Sequence, residues 1–381
     1  MRAIVIGGGI MGLCSALALQ RTGHRVTVYE QGSIPNPMGS SVDHHRLIRH
    51  PYGPLTGYAM MINSAFKAWG RLWSQLGQTL FHATGTLVTA SDDTAWVDQS
   101  LSDMNALGIR VEALSADGIR HRAPMIRADG FEKAAWIDSG GVLFAEPIVA
   151  AIARHLVLSG VTVNTNTPVV DIDPVRGSVT LADGTRARAE IVIVACGPWV
   201  RELVPSIMGR VKPSRQVVAY LEPPPHLADA WRTAPMILDI HGAGGIYAVP
   251  PVGGTGLKVG DHTFSRKGHP SRKREVKPGE AERLFEACRS RFLELDAYRI
   301  AHAKTCFYTV EADERFILEK QDRAVIVTGF SGHGFKFGAL MGEIVAGLTN
   351  ERLTPTEATE LAAGRIADRK RIEALTSLCS D

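Results

Sequence analysis

Three glycines, Gly7, Gly9 and Gly12, fall in the stretch GGGIMG between two apolar runs, AIVI and LCSALAL. Gly7 permits a tight turn, Gly9 lets the backbone approach a pyrophosphate, and Gly12 lets a helix and a strand pack closely. A helix starting here turns free N–H groups and the positive end of its dipole toward phosphate. Glu30 follows Gly12 by 18 residues, at the end of RVTVYEQ. A carboxylate there accepts both ribose hydroxyls of an adenosine and repels a 2′-phosphate, which disfavours NADP. The pattern indicates a dinucleotide and leaves FAD and NAD both open.

A second group of residues offers positive charge. Arg46 and Arg49 stand three apart in RLIRHPY. From spacing alone they read equally as a functional pair or as two surface arginines in a salt-bridged turn. Lys258 lies in GLKVG, an apolar strand context, where desolvation disfavours its charge. His262 alternates to the same strand face as Lys258. His333, Gly332, Gly334, Phe335 and Lys336 belong to TGFSGHGFKFG (328–338), which links an apolar strand to a helix. Its backbone N–H groups suit a negatively charged ring such as a reduced flavin, and a plain turn does not explain a lysine inside it. Either histidine titrates near neutrality and can tune protonation, although a lone histidine is more often structural. Cys306 lies in the aromatic run TCFYTV; its ordinary reading is a small apolar core residue.

These residues need a scaffold. Residues 2–7 read as a buried parallel strand, 10–23 as a helix stopped by Gly23, and 25–31 as the next strand, a β-α-β unit. Helices are expected at 58–76, 93–107 and 146–160. Short strands follow, with a hairpin turn at Asp183-Gly184, then an apolar strand in EIVIVACG (190–197). Residues 211–264 favour strands. The basic stretch 265–280 is expected to be a solvated surface loop, with an acidic partner as the minor reading. A strand at 324–329, a closing helix at 338–348 and an amphipathic helical tail from Thr354 complete the pass. The pattern is that of an α/β protein: a Rossmann-like nucleotide domain interleaved with a mixed or antiparallel β-sheet domain.

The chain has 381 residues, too long for one compact core. With 45% hydrophobic and 21% charged residues and a net charge of +3, it reads as a globular protein and not as a nucleic-acid binder. Its five cysteines have neither metal-ligand nor CxxC spacing, so neither a disulfide framework nor a metal site is expected, and the reducing cytoplasm is the expected compartment. Residues 3–20 are apolar enough to suggest a membrane span, but their glycines favour a strand, a turn and a helix.

Across nearly its whole length the chain resembles the D-amino-acid-oxidase superfamily of flavoproteins, in particular the monomeric sarcosine oxidase and N-methyltryptophan oxidase group. The resemblance runs through GGGIMG, GSSVDHHRLIRHPYG, GLKVGDHTF, CFYTVEADERFIL and GFSGHGFKF. It implies FAD, attached covalently through Cys306. The FAD-binding part is then 1–81, 145–211 and 308–381, and the substrate part 82–144 and 212–307. Ser40 joins the glycines, Glu30 and the 332–336 turn as a cofactor contact. Arg49 and Lys336 would hold a substrate carboxylate, with Arg46 close to the flavin ring. Lys258 would stand over the ring, where positive charge favours electron transfer to oxygen. Tyr247 and Tyr308 would line the pocket, and His262 could tune the protonation of the amine.

The implied reaction is oxidation of a secondary amino acid to an imine, with dioxygen reduced to hydrogen peroxide, by a monomer that needs no membrane. Two alternatives are a flavoprotein that modifies a side chain of a partner protein and a dehydrogenase serving another acceptor. One departure bears on the flavin rim: Ser41 and Val42 stand where relatives often carry histidine.

Overall fold

The computed structural model describes residues 1–241 and 244–380. Gly242 and Ala243, inside the expected strand-rich stretch, and Asp381, at the end of the expected helical tail, lie outside the described residues. The opening β-α-β unit forms as its sequence dictates: strand Arg2–Ile6, helix Ile10–Arg21 and strand Arg25–Tyr29. No helix among the described residues is long and apolar enough to cross a membrane.

A six-stranded sheet runs in the order Ile317–Gln321, Ala324–Thr328, Ile191–Val194, Arg2–Ile6, Arg25–Tyr29, Thr162–Asn164. Every pair is parallel except the Ile317–Gln321 edge. Both faces of the central strands Ala324–Thr328, Ile191–Val194 and Arg2–Ile6 are covered, which is why these three are almost wholly apolar. Ala3 and Val5 point into one core and Ile4 and Ile6 into another, the period of two that a strand imposes. Helices Ile10–Arg21, Thr56–Leu76 and Gly338–Thr349 supply the first core.

A second sheet of eight strands runs Arg299–Glu311, Val211–Glu222, Leu257–Asp261, Gly244–Val249, Met236–His241, Thr86–Ala90, Lys133–Ile137, Val111–Ala113. It is antiparallel except where Met236–His241 meets Thr86–Ala90. Its strands alternate along the chain with those of the first sheet, the interleaved α/β architecture that the sequence pattern predicts. The strand Arg299–Glu311 runs through the expected domain boundary at 307/308.

Helix ends differ slightly from the sequence reading. The helix expected at 93–107 is Ala95–Leu107, because the Asp93 carboxylate accepts the Ala95 N–H at 3.1 Å and turns the chain first. The helix expected at 146–160 is Ala145–Leu158, closed by Ser159 and by Gly160 at φ +80°. The basic stretch 265–280 is irregular and mostly exposed, as expected. It is nonetheless pinned: Arg215 donates to the Lys273 carbonyl at 3.1 Å and Trp199 Nε1 to Ser271 Oγ at 2.7 Å.

Candidate active site

A cavity of about 430 Å³ opens at the carboxyl ends of the central parallel strands. Gly7, Gly9, Glu30, Ser40, Gly332, Gly334 and Phe335 are among its walls. Gly7 has φ +110°, and a Cβ on it would meet the Ala195 carbonyl at 2.4 Å. Gly12 lies behind the cavity: a Cβ there would stand 1.9 Å from the Gly7 carbonyl, so only glycine lets the helix close on the turn. Glu30 accepts from the Gly8 and Gly32 N–H groups at 2.7 and 3.0 Å and from Asn36 Nδ2 at 2.8 Å, which fixes its carboxylate at the cavity wall.

A second, smaller cavity of about 90 Å³ adjoins the first; Arg46, Tyr308, Gly332 and Phe335 belong to the walls of both. Leu238, Ile240, Val249 and Phe264 give it an apolar side, and Tyr247, Lys258, His262, Arg49 and Lys336 a polar one. Burial pushes the Tyr247 and Tyr308 phenols well up, so both stay neutral.

Arg49 and Lys336 are the buried cations of this cavity without an acidic partner, 8% and 5% exposed, and among the described residues neither forms an ion pair. Arg49 lies over the Tyr52 ring at 4.7 Å, and its Nη1 has no hydrogen-bond partner. Lys336 Nζ donates to Tyr52 Oη at 3.1 Å and to the His333 carbonyl at 3.0 Å. Burial lowers both pKa values, and for Lys336 the neighbouring Arg49 lowers it further. Two cations without an ion pair thus share one buried cavity, and the Glu314 carboxylate, acting on Arg49 at longer range, offsets only part of their charge.

His333 Nε2 meets the Glu314 carbonyl at 2.9 Å, which accepts only, so Nε2 carries the proton. Its Nδ1 then faces Tyr52 Oη at 3.4 Å. Burial, together with Lys336, keeps this imidazole neutral. His262 is also held neutral, its pKa pushed down to about 4 by burial first and then by Arg49 and Lys336.

Lys258 occupies another wall, 4% exposed, with Nζ 2.5 Å from the Asp43 carboxylate. Arg46 reaches the same carboxylate from Nη1 at 2.7 Å and donates from Nη2 to the Ser40 carbonyl at 2.9 Å. Arg46 therefore does sit in a salt-bridged turn, but a largely buried one; Arg49 does not, and neither is a surface arginine.

The sequence matches the family described as FAD-dependent oxidoreductase (DAO) over residues 2–348. The chain belongs to that family. It is 29% identical to the monomeric sarcosine oxidase of Bacillus sp. (strain B-0618) over 384 residues, covering 98% of each chain. It is 25% identical to N-methyl-L-tryptophan oxidase of Yersinia pestis (strain Pestoides F), covering 95% of this chain and 98% of the relative. Its fold matches the solved structure of NikD, an amino acid oxidase of nikkomycin biosynthesis, with a TM-score of 0.77 at 22% identity, over 97% of this chain and 96% of that one.

For this FAD-dependent oxidoreductase the larger cavity fits the dinucleotide. A glycine turn leads into a helix whose N-cap, Gly9, brings no side-chain cap; Ser41 Oγ accepts the Ile10 N–H at 2.9 Å, leaving the N–H groups that follow for phosphate. Ser40 Oγ donates to the Phe307 carbonyl, tying the 40–46 loop to the strand that carries Cys306 and Tyr308. Cys306 stands two residues before Tyr308, hence on the same strand face, half-buried and free of disulfide. The sequence reading passed over Asp43, Tyr52 and Glu314. Asp43 had one signal: it lies three residues before Arg46, the spacing of a local ion pair.

Proposed function

We propose that this flavoprotein is an amine oxidase of the sarcosine-oxidase type, acting on a small secondary amino acid, N-alkyl or cyclic. The substrate leaves as the imine, and dioxygen becomes hydrogen peroxide. The carrying observation is the unpaired Arg49–Lys336 couple in a small cavity that shares walls with the dinucleotide cavity. Bound FAD would supply the hydride acceptor. Gly7, Gly9, Gly12, Glu30, Ser40 and the 332–336 turn would hold it, and the chain would divide into the FAD and substrate parts expected from sequence.

The residues then have distinct tasks. Arg49 and Lys336 clamp the substrate carboxylate and orient the carbon next to nitrogen. The neutral phenols Tyr247 and Tyr308 and the neutral His262 surround the amine without repelling it. Lys258 holds positive charge where oxygen reacts. Cys306 would hold the flavin covalently through its sulfur; after acid precipitation the yellow colour should stay with the pellet, and colour wholly in the supernatant would rule the bond out.

A cavity of about 90 Å³ favours a small substrate over a side chain presented by a folded partner. The test is peroxide release with sarcosine, other N-methyl amino acids, pipecolate, proline and glycine. Turnover of one or more secondary amines is expected. Silence across the panel, with a normal flavin spectrum, would favour the partner-protein reading, and reduction without peroxide a different electron acceptor.

A further inference from the structure

Asp43 is buried at 2% exposure and collects more positive charge than one carboxylate can balance. Its Oδ2 takes Lys258 Nζ at 2.5 Å and Arg46 Nη1 at 2.7 Å. Its Oδ1 takes the His44 N–H at 2.9 Å, the Tyr220 hydroxyl and Lys304 Nζ. Lys304 comes from the strand Arg299–Glu311, and its side chain is 35% exposed. The other ionisable neighbours are three imidazoles, His44 at 4.9 Å and His302 at 4.4 Å from the Tyr220 ring and His45 at 6.0 Å, together with the Tyr247 and Tyr308 phenols and the Cys306 thiol. Burial holds His44 and His45 toward the neutral form. One anion thus faces three cations, and only Lys258 and Arg46 also line the small cavity.

We infer that Asp43 is a positioning residue that keeps Lys258 in place and protonated beside the flavin, with Lys304 as its opposing tuner from the surface. This deepens the proposed function and rests on its placement of Lys258. Without Asp43, an ammonium shut away from water would face Arg46 and Lys304 with nothing to offset them, and would release its proton. Without Lys304, Asp43 would be freer for Lys258 and one repulsion would vanish. Burial already lowers the Lys258 pKa to about 8 against the pull of Asp43. Burial would raise the Asp43 pKa, but Lys258, Arg46 and Lys304 outweigh it and hold the carboxylate ionised.

The test is a pH titration of the flavin's visible absorbance in the holoenzyme, with the Lys258 step identified as the one missing in Lys258→Met. Asp43→Asn should move that step down by roughly one to three pH units, and Lys304→Met should move it up. A step unmoved by Asp43→Asn, or moved down by Lys304→Met, overturns the inference. Lys304 is partly exposed, so its variant keeps the test decisive if Asp43→Asn fails to fold. If the step moves as expected while Lys258→Met reacts with oxygen at the normal rate, the inference stands and the oxygen role of Lys258 falls. If Lys258→Met loses no step, both fall.

Discussion

At the scale of single residues, the site is defined by which charges are closely paired. Lys258 and Arg46 share Asp43, whereas among the described residues Arg49 and Lys336 form no ion pair and the Glu314 carboxylate acts on Arg49 only at longer range. Charge-assisted hydrogen bonds contribute about 1.5–3 kcal/mol each, so Arg49→Met should lower kcat/KM by roughly 10- to 100-fold. Acetate, as a carboxylate probe, should lose affinity for the same variant. The pH dependence of acetate binding follows from Lys336. Its folded pKa lies well below the ordinary lysine value, so above that pKa the free site holds a neutral amine. Acetate binding draws a proton from solvent onto Lys336, so affinity should fall about tenfold per pH unit above that pKa. Flavin absorbance titrations at several pH values would check this; affinity independent of pH would mean Lys336 stays charged without a ligand. Lys336 stood out in the sequence because a cation within a glycine-rich run is conspicuous; its pairing with Arg49 rests on the family resemblance. Asp43 could not, because an acid beside two histidines reads as an ordinary polar loop until folding brings Lys258, Lys304 and Tyr220 to it from three distant strands.

At the scale of elements, two joints position the cofactor cavity. The first is the turn between Arg2–Ile6 and Ile10–Arg21. Gly12→Ala would force a Cβ onto the Gly7 carbonyl, and overpacking of this kind costs about 1–3 kcal/mol. Gly9→Ala would meet only the Ser41 side chain, at 3.0 Å. The expected outcome is a lower melting temperature and a low flavin-to-protein ratio for Gly12→Ala, with little loss of melting temperature for Gly9→Ala; equal melting temperatures would show that the turn relaxes. The second joint is the closing helix Gly338–Thr349, whose buried Glu343 receives Arg71 at 2.8 and 2.6 Å, with Arg21 at 3.6 Å. Arg71 and Arg21 are about a third exposed and can turn to water once the buried carboxylate is gone, so Glu343→Gln should cost about 1–3 kcal/mol and unfold at lower urea while its carboxylate affinity, measured where it is folded, stays normal. The β-α-β unit and the closing helix were legible because apolar periodicity and glycine punctuation agree there. Helix starts were less so: Asp93 captures a backbone N–H that the pattern had assigned to the helix.

At the scale of the whole molecule, two sheets whose strands alternate along the chain meet around one pair of adjoining cavities. The interleaving was readable from where strand-rich and helix-rich stretches fall. What the sequence could not supply was pairing register in the eight-stranded sheet, which decides that Lys258 lies opposite Tyr220 and Val249. Register depends on long-range partners, not on local pattern. The proposed division of labour, with Arg49 and Lys336 serving a carboxylate and Lys258 serving oxygen, is a claim about this whole arrangement.

It is tested most directly by rapid mixing that resolves the two half-reactions in the wild type, Lys336→Met and Lys258→Met. The expected result is a split: Lys336→Met slows flavin reduction by substrate and leaves reoxidation near normal, whereas Lys258→Met slows reoxidation by oxygen by orders of magnitude and spares reduction. Variants that impair the same half-reaction, or a Lys258→Met enzyme that reoxidises at the wild-type rate, would contradict it.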